Sequence, residues 1–444
     1  MTTIVIADVF NGGKASSETY VQREKGRYEA ELKQGILENG ILCLITGSSK
    51  TGKTTLYQKV LSELDKEPLR VRCSASLKAD DFWSYPLENL DFSRLKTLED
   101  GRTRTISGTG SVSGTLGWGW LASLKGTVGV GITDAKAEKE VKDAILAKPS
   151  PTHLVPLLKK SNAVLVVEDF HYLTEVVQRE VFQQWKIFTD NEVSVIVVGT
   201  THHGVDLATA NSDLIGRITH IDLGRWSDSD LKAIANKGLT LLNVADKSLV
   251  VNPISEESAG LPILTQQICA QLFIDKGITE WDPENSISFT KGDAQKAMHK
   301  VAKTRYSNFE SWYAQLVQGP RKQARKYDTY KIILALFAQD PPTFSFTRHE
   351  IDIRLKAAGL AASELPPAAS INSTLASLKN FQDKRNFELL EWSKCDRTVY
   401  ILEPSFLFYL RWRENRTIVA SVFEMLLSMA AGQLSVHFKS KFGG

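Results

Sequence analysis

Cysteine is scarce in this chain: four residues in 444, Cys43, Cys73, Cys269 and Cys395, with no CxxC pair among them. That excludes a cysteine-based zinc cluster and a disulfide framework, and makes a reducing compartment the expectation. Long hydrophobic runs are missing too, since no window approaches the ~18 to 20 uninterrupted apolar residues of a membrane span. Residues 1–6 lack the basic start and longer apolar run of a secretion signal, so a cytoplasmic protein is expected. Charge of one sign is absent as well. With 54 Lys and Arg against 51 Asp and Glu, the net charge of +3 rules out a surface that binds polyanions as a whole, and any such partner has to be sought in local clusters. The adjacent pair His202 and His203 has no HExxH or carboxylate spacing around it, which argues against a metal there.

What the chain has is length and a mixed composition, 42% hydrophobic and 24% charged, enough for two or three domains that each bury a core. Residues 41–45 form a short continuous apolar run that ends in a glycine loop, as in a strand buried on both faces of a parallel sheet. After the loop, Leu56, Val60, Leu61 and Leu64 recur at helical spacing. Further strands are predicted at 69–73, 163–167, 193–198 and 218–223, with helical patterns between most of them. The fold class expected is therefore an α/β P-loop NTPase, a parallel sheet covered by helices, over residues 41–225 and after an N-terminal segment, 1–40. From Ser227, a good N-cap, helical patterns take over and predict a helical lid over 226–305, followed by a basic linker, 306–326. Residues 327–413 read as three helices and a β-hairpin, the order of a winged helix. A tail, 414–444, carries a broad apolar helical face in which Glu424 is the only charge. It either folds back on the winged helix or serves as a contact. The glycine-rich stretch 106–132 fits none of these elements. It reads as a mobile surface insertion or, given Trp118, Trp120, Val128 and Val130, as a hairpin that orders on assembly.

The octet Gly47-Ser48-Ser49-Lys50-Thr51-Gly52-Lys53-Thr54 is a GxxxxGK[ST] P-loop. Its glycines let the backbone curl until successive N–H groups face phosphates, and the helix that follows adds its positive end. Lys53 is placed on the β and γ phosphates and Thr54 on Mg²⁺, with Thr55 beside them, so ATP and Mg²⁺ are the expected cofactors. The strand at 163–167, expected beside the first, ends in Glu168-Asp169. The usual order is Asp then Glu, for the metal shell and the attacking water. Here the two are reversed, which puts Glu168 in the metal slot, leaves Asp169 to reach the water and predicts slow hydrolysis. Which of the two acids holds Mg²⁺ stays open. Thr200 and Thr201, after the next strand, are the candidates for sensing the γ-phosphate. Arg217 lies where it would meet a neighbouring subunit's nucleotide, the rival reading being a surface ion pair.

At these residues the chain resembles the AAA+ and STAND superfamily of P-loop ATPases, the branch of origin-recognition-like and NLR-like switch proteins. Residues 20–24, Tyr-Val-Gln-Arg-Glu, are similar to its arginine-glutamate box, which would bring Arg23 to the nucleotide site. Arg217 falls at its arginine-finger position. Residues 258–262, Ser-Ala-Gly-Leu-Pro, resemble the lid GxP motif, whose proline, here Pro262, would pack near adenine. The resemblance implies an ATP-driven switch that forms homo-oligomers and signals to a separate effector, with anti-phage defence as an expected setting.

A second reading, an ATP-dependent DNA loader or regulator, rests on charge. Residues 291–326 hold 9 basic and 2 acidic residues and include Arg321, Lys322, Arg325 and Lys326, a cluster able to neutralise phosphates. Against it, 327–413 carries 11 basic and 10 acidic residues, although its helix 371–381 could enter a groove with Lys394 and Arg397 on the wing.

Overall fold

The computed structural model describes residues 3–12, 18–87, 150–160, 162–199, 214, 216–319, 327–357 and 365–414. The glycine-rich stretch 106–132, Thr200, Thr201, His202, His203, the basic run Arg321, Lys322, Arg325 and Lys326, and all of the tail after Glu414 lie outside the described residues. The chain divides into two compact units, residues 22–225 and residues 1–21 together with 226–444.

In the first unit, strands β1 (Leu42–Thr46), β2 (Glu67–Arg72), β3 (Ala163–Glu168), β4 (Val195–Val198) and β5 (Ile218–Asp222) form one sheet in the order β2-β3-β4-β1-β5. All its pairings are parallel. Because side chains alternate across a strand, the continuous apolar runs bury both faces. Leu42, Leu44, Leu165, Val167, Val195 and Val197 join one cluster with Phe182, Trp185 and Phe188. Cys43, Ile45, Val164, Val166, Ile196 and Val198 join another with Leu32, Tyr57 and Val60. Helices α1 (Arg27–Leu37) and α2 (Lys53–Glu63) supply the second cluster, while α3 (Pro151–Lys160) and α4 (Glu175–Asp190) supply the first. One expectation is corrected. The acid-bearing strand β3 is not beside β1, because β4 pairs with both and separates them. Apolar content identifies buried strands but says nothing of their order, which the crossovers decide.

In the second unit, α5 (Asp228–Leu241) starts at Ser227, whose side chain accepts the Asp230 N–H. There follow α6 (Ser248–Glu257), α7 (Pro262–Ile274), α8 (Lys291–Arg305), α9 (Asn308–Gln318), α10 (Thr329–Phe337), α11 (Arg348–Ala357), α12 (Ala368–Asp383) and α13 (Pro404–Trp412). Strands β6 (Ser345–Thr347), β7 (Leu390–Ser393) and β8 (Thr398–Ile401) make an antiparallel sheet ordered β6-β8-β7. A single apolar cluster runs from Leu239 through Ile268, Val301 and Leu334 to Trp412, so the segments 226–305 and 327–413 share one core. The N-terminus belongs to that core. Residues Ile4 and Val5 pair antiparallel with Trp281 and Glu280, and Phe10 lies so close to Gly238 that a Cβ there would stand 2.3 Å from its ring. The segment expected as 1–40 is thus divided between the units after residue 21.

Arg411 ties this core together from inside. Its guanidinium is 2.5 Å from Glu257 at the end of α6 and 2.5 Å from Asp340, and it donates to the Ala338 and Gln339 carbonyls. The Trp412 indole donates to the same Glu257.

Candidate active site

The P-loop spans the turn from the carboxyl end of β1 into α2. Gly47 has φ +144°, and a Cβ on it would stand 2.4 Å from the Leu223 carbonyl oxygen, so only glycine fits where β5 ends against the loop. Thr51 donates to the Ser48 carbonyl at 2.9 Å and tightens the turn. Lys53, the first residue of α2, donates to the Gly47 and Ser48 carbonyls at 2.8 and 2.7 Å. Burial lowers its pKa to about 8, against the pull of the Asp169 negative charge. A cation held on carbonyls in this way is poised for a stronger partner, and phosphate oxygens are one.

Glu168 ends β3 and is buried. Its Oε1 accepts from Thr54 Oγ1 at 3.2 Å and from the Tyr57 hydroxyl at 2.9 Å. Its Oε2 lies 3.5 Å from the Arg72 guanidinium. The next residue, Asp169, turns away with φ +60° and ψ +31° and opens the short turn 170–172. The structure therefore brings Lys53, Thr54 and Glu168 together at one edge of the sheet, with Asp169 close enough to Lys53 to influence its charge. Thr54 and Glu168 offer hard oxygen donors side by side. The described residues contain no cluster of three or more His, Cys, Asp or Glu that could hold a metal. Mg²⁺ is usually held by one or two protein oxygens, substrate phosphates and water, and the Thr54 and Glu168 oxygens are donors of that kind.

The other predicted residues are more dispersed. Arg23 is buried, donates to the Arg225 carbonyl at 3.0 Å and lies 5.1 Å from the Tyr28 ring centre. Arg217 sits just before β5, at the amino end of the strands and so opposite the P-loop at their carboxyl end, and is ion-paired with Asp190 at 2.7 Å. Pro262 is the first residue of α7 in the other unit. Two site residues escaped the sequence reading. Tyr57 lies three residues after Thr54, on the same helix face, a spacing that could have revealed it. Arg72 stands opposite Glu168 through the β2–β3 register, which no local pattern contains.

Residues 38–203 match the protein-family model described as "AAA domain". No curated protein matches the sequence. Among solved structures, a Walker-type ATPase of Pyrococcus abyssi is similar at 12% identity and a TM-score of 0.46, over 89% of this chain and 97% of its own. The ORC2 protein of Aeropyrum pernix is similar at 11% identity and 0.45, over 95% and 97%. Cdc6p of Pyrobaculum aerophilum is similar at 10% and 0.40, over 97% and 100%. Similarities this remote bear on neither substrate nor partner. The P-loop and the contacts of Lys53, Thr54 and Glu168 thus lie within residues that match an AAA domain, and their geometry is that of a nucleotide-binding loop.

Proposed function

We propose that the chain is an ATP-driven switch that hydrolyses slowly, with residues 22–225 as the nucleotide unit and residues 226–414 as a helical lid and winged helix that respond to it. The observation that carries this reading is the cluster of Lys53, Thr54 and Glu168 at one sheet edge, with Glu168 hydrogen-bonded to Thr54. In this reading Lys53 binds the β and γ phosphates, Thr54 and Glu168 hold Mg²⁺, and Asp169 orients water, with Thr200 or Thr201 sensing the γ-phosphate. Bound there, the metal supplies charge neutralisation of the phosphates. The longer acid in the metal slot and the shorter one turned by its left-handed backbone support slow turnover, below the enzyme median of about 10 per second. Arg23 and Pro262 complete the nucleotide site in this proposal, and Arg217 acts on a neighbour's. An effector partner and a role in anti-phage defence belong to the same proposal, but no residue described here carries them.

A DNA-binding role has one supporting observation. Lys291, Lys296, Lys300, Lys303 and Arg305 of α8 are exposed along a helix whose apolar face is buried, although Lys300 already pairs with Asp275. The near-neutral segment 327–413 favours the switch. The test of the central reading is Lys53→Ala. Its expected outcome is loss of ATP binding by calorimetry with an unchanged melting profile, and undiminished affinity would remove the basis of the assignment.

A further inference from the structure

The two oxygens of Glu168 face different company. Oε1 takes two hydroxyl donors, Thr54 and Tyr57, both from α2. The Tyr57 ring is fully buried among Leu56, Val60 and the sheet residues, so its hydroxyl is fixed by packing. Oε2 pairs instead with Arg72 at 3.5 Å, and Glu168 lines a cavity of about 300 Å³ together with Arg70, Arg72 and Tyr85. The partner on that side is Arg72, whose side chain is 76% exposed.

A glutamate has one more rotatable bond than an aspartate, so a glutamate serving a metal must be held in one rotamer or spend much of its time elsewhere. Two donors on a single oxygen, one of them immobile, provide that hold. The guanidinium on the other oxygen acts against it, because a cation 3.5 Å from the carboxylate competes with any divalent ion for the same negative charge. With its arginine in solvent and a separation of 3.5 Å, the pair is loose on the guanidinium side and can be given up there, although the carboxylate is buried. We propose that Tyr57 is a positioning residue for the magnesium-facing acid, and that Arg72 is a releasable restraint on it which raises the magnesium concentration the site requires. The proposal rests on the ATPase reading and adds two residues with opposite effects to it.

The test uses the full chain with a fluorescent, non-hydrolysable ATP analogue, titrated with Mg²⁺ and separately measured in EDTA. Tyr57→Phe, which removes only the hydroxyl, should raise the half-saturating Mg²⁺ about tenfold, the effect typical of losing an outer partner of a metal ligand. Arg72→Gln, a surface change, should lower it by up to about fivefold, the most an exposed ion pair commonly accounts for. Affinity in EDTA should stay at the wild-type value in both. The proposal is overturned if the two variants move the Mg²⁺ midpoint in the same direction or not at all, or if the affinity in EDTA falls in step with it, as a purely structural role would produce. If the wild type binds no analogue with or without Mg²⁺, the ATPase reading itself has failed and this inference falls with it.

Discussion

At the scale of single residues, backbone geometry at the P-loop is as restrictive as its chemistry. Gly47 combines a positive φ with a carbonyl 2.4 Å from where a Cβ would sit, and the blocking atom belongs to the backbone after β5. A flexible side chain could yield there; a backbone carbonyl cannot do so without moving the strand. Gly47→Ala is therefore expected to destabilise the unit by about 1 to 3 kcal/mol. Its melting midpoint should fall by roughly 2–4 °C for each kcal/mol, with ATP affinity lost as the loop opens. Calorimetric melting and nucleotide titration of the variant check this, and a wild-type result in both would show that the loop relaxes freely. Lys53 makes a complementary point. Its contacts with two loop carbonyls keep a buried cation satisfied without nucleotide, so removing the amine should take away the proposed phosphate ligand and little packing.

Between elements, Arg411 makes a buried connection: it is 3% exposed and joins α13, the end of α6 and the loop after α10. Removing one member of a buried ion pair leaves the other charge without compensation, so Arg411→Ala should destabilise by about 3 to 5 kcal/mol. Glu257→Gln combined with Arg411→Met should restore much of that loss, since no charge is then stranded. Urea unfolding of the two variants measures the difference, and equal losses would place the effect in packing instead. No sequence pattern pointed to this pair, because residues 257 and 411 are brought together only by tertiary folding. The same reason explains what was and was not legible elsewhere. The strand at 41–45, the P-loop and α2 are contiguous, so apolar run, glycine loop and helical spacing could be read in one pass. The acid at position 168 was legible as a strand end. The insertion of β4 beside β1 and the pairing of Arg72 with Glu168 were not, because these pairings join residues more than ninety positions apart. Tyr57 was within reach of helical spacing but looked like any other core aromatic.

At the scale of the molecule, Arg217 lies at the amino end and the P-loop at the carboxyl end of two adjacent strands, separated by the length of β1, roughly 15 Å at ~3.3 Å per residue. Its own nucleotide is out of reach, so the proposed role requires a second copy. The exposed Asp190 pair is worth only about 0 to 1 kcal/mol and yields easily to a phosphate. Sedimentation with a non-hydrolysable ATP analogue should then show wild type assembling and Arg217→Ala remaining smaller at micromolar concentration; a wild type that stays monomeric would count against completion by a neighbour. The division of the chain carries a further consequence, in time. Residues 4–10 emerge from the ribosome more than two hundred residues ahead of their partners at 238 and 280–281. At ~5–20 residues per second that interval is on the order of tens of seconds, long enough for the whole of residues 22–225 to be synthesised and to fold ahead of the unit that brackets it. During that wait, Ile6, Val9 and Phe10, buried in the folded unit, lack their partners, which makes the nascent segment 4–10 a natural substrate for whatever shelters nascent chains.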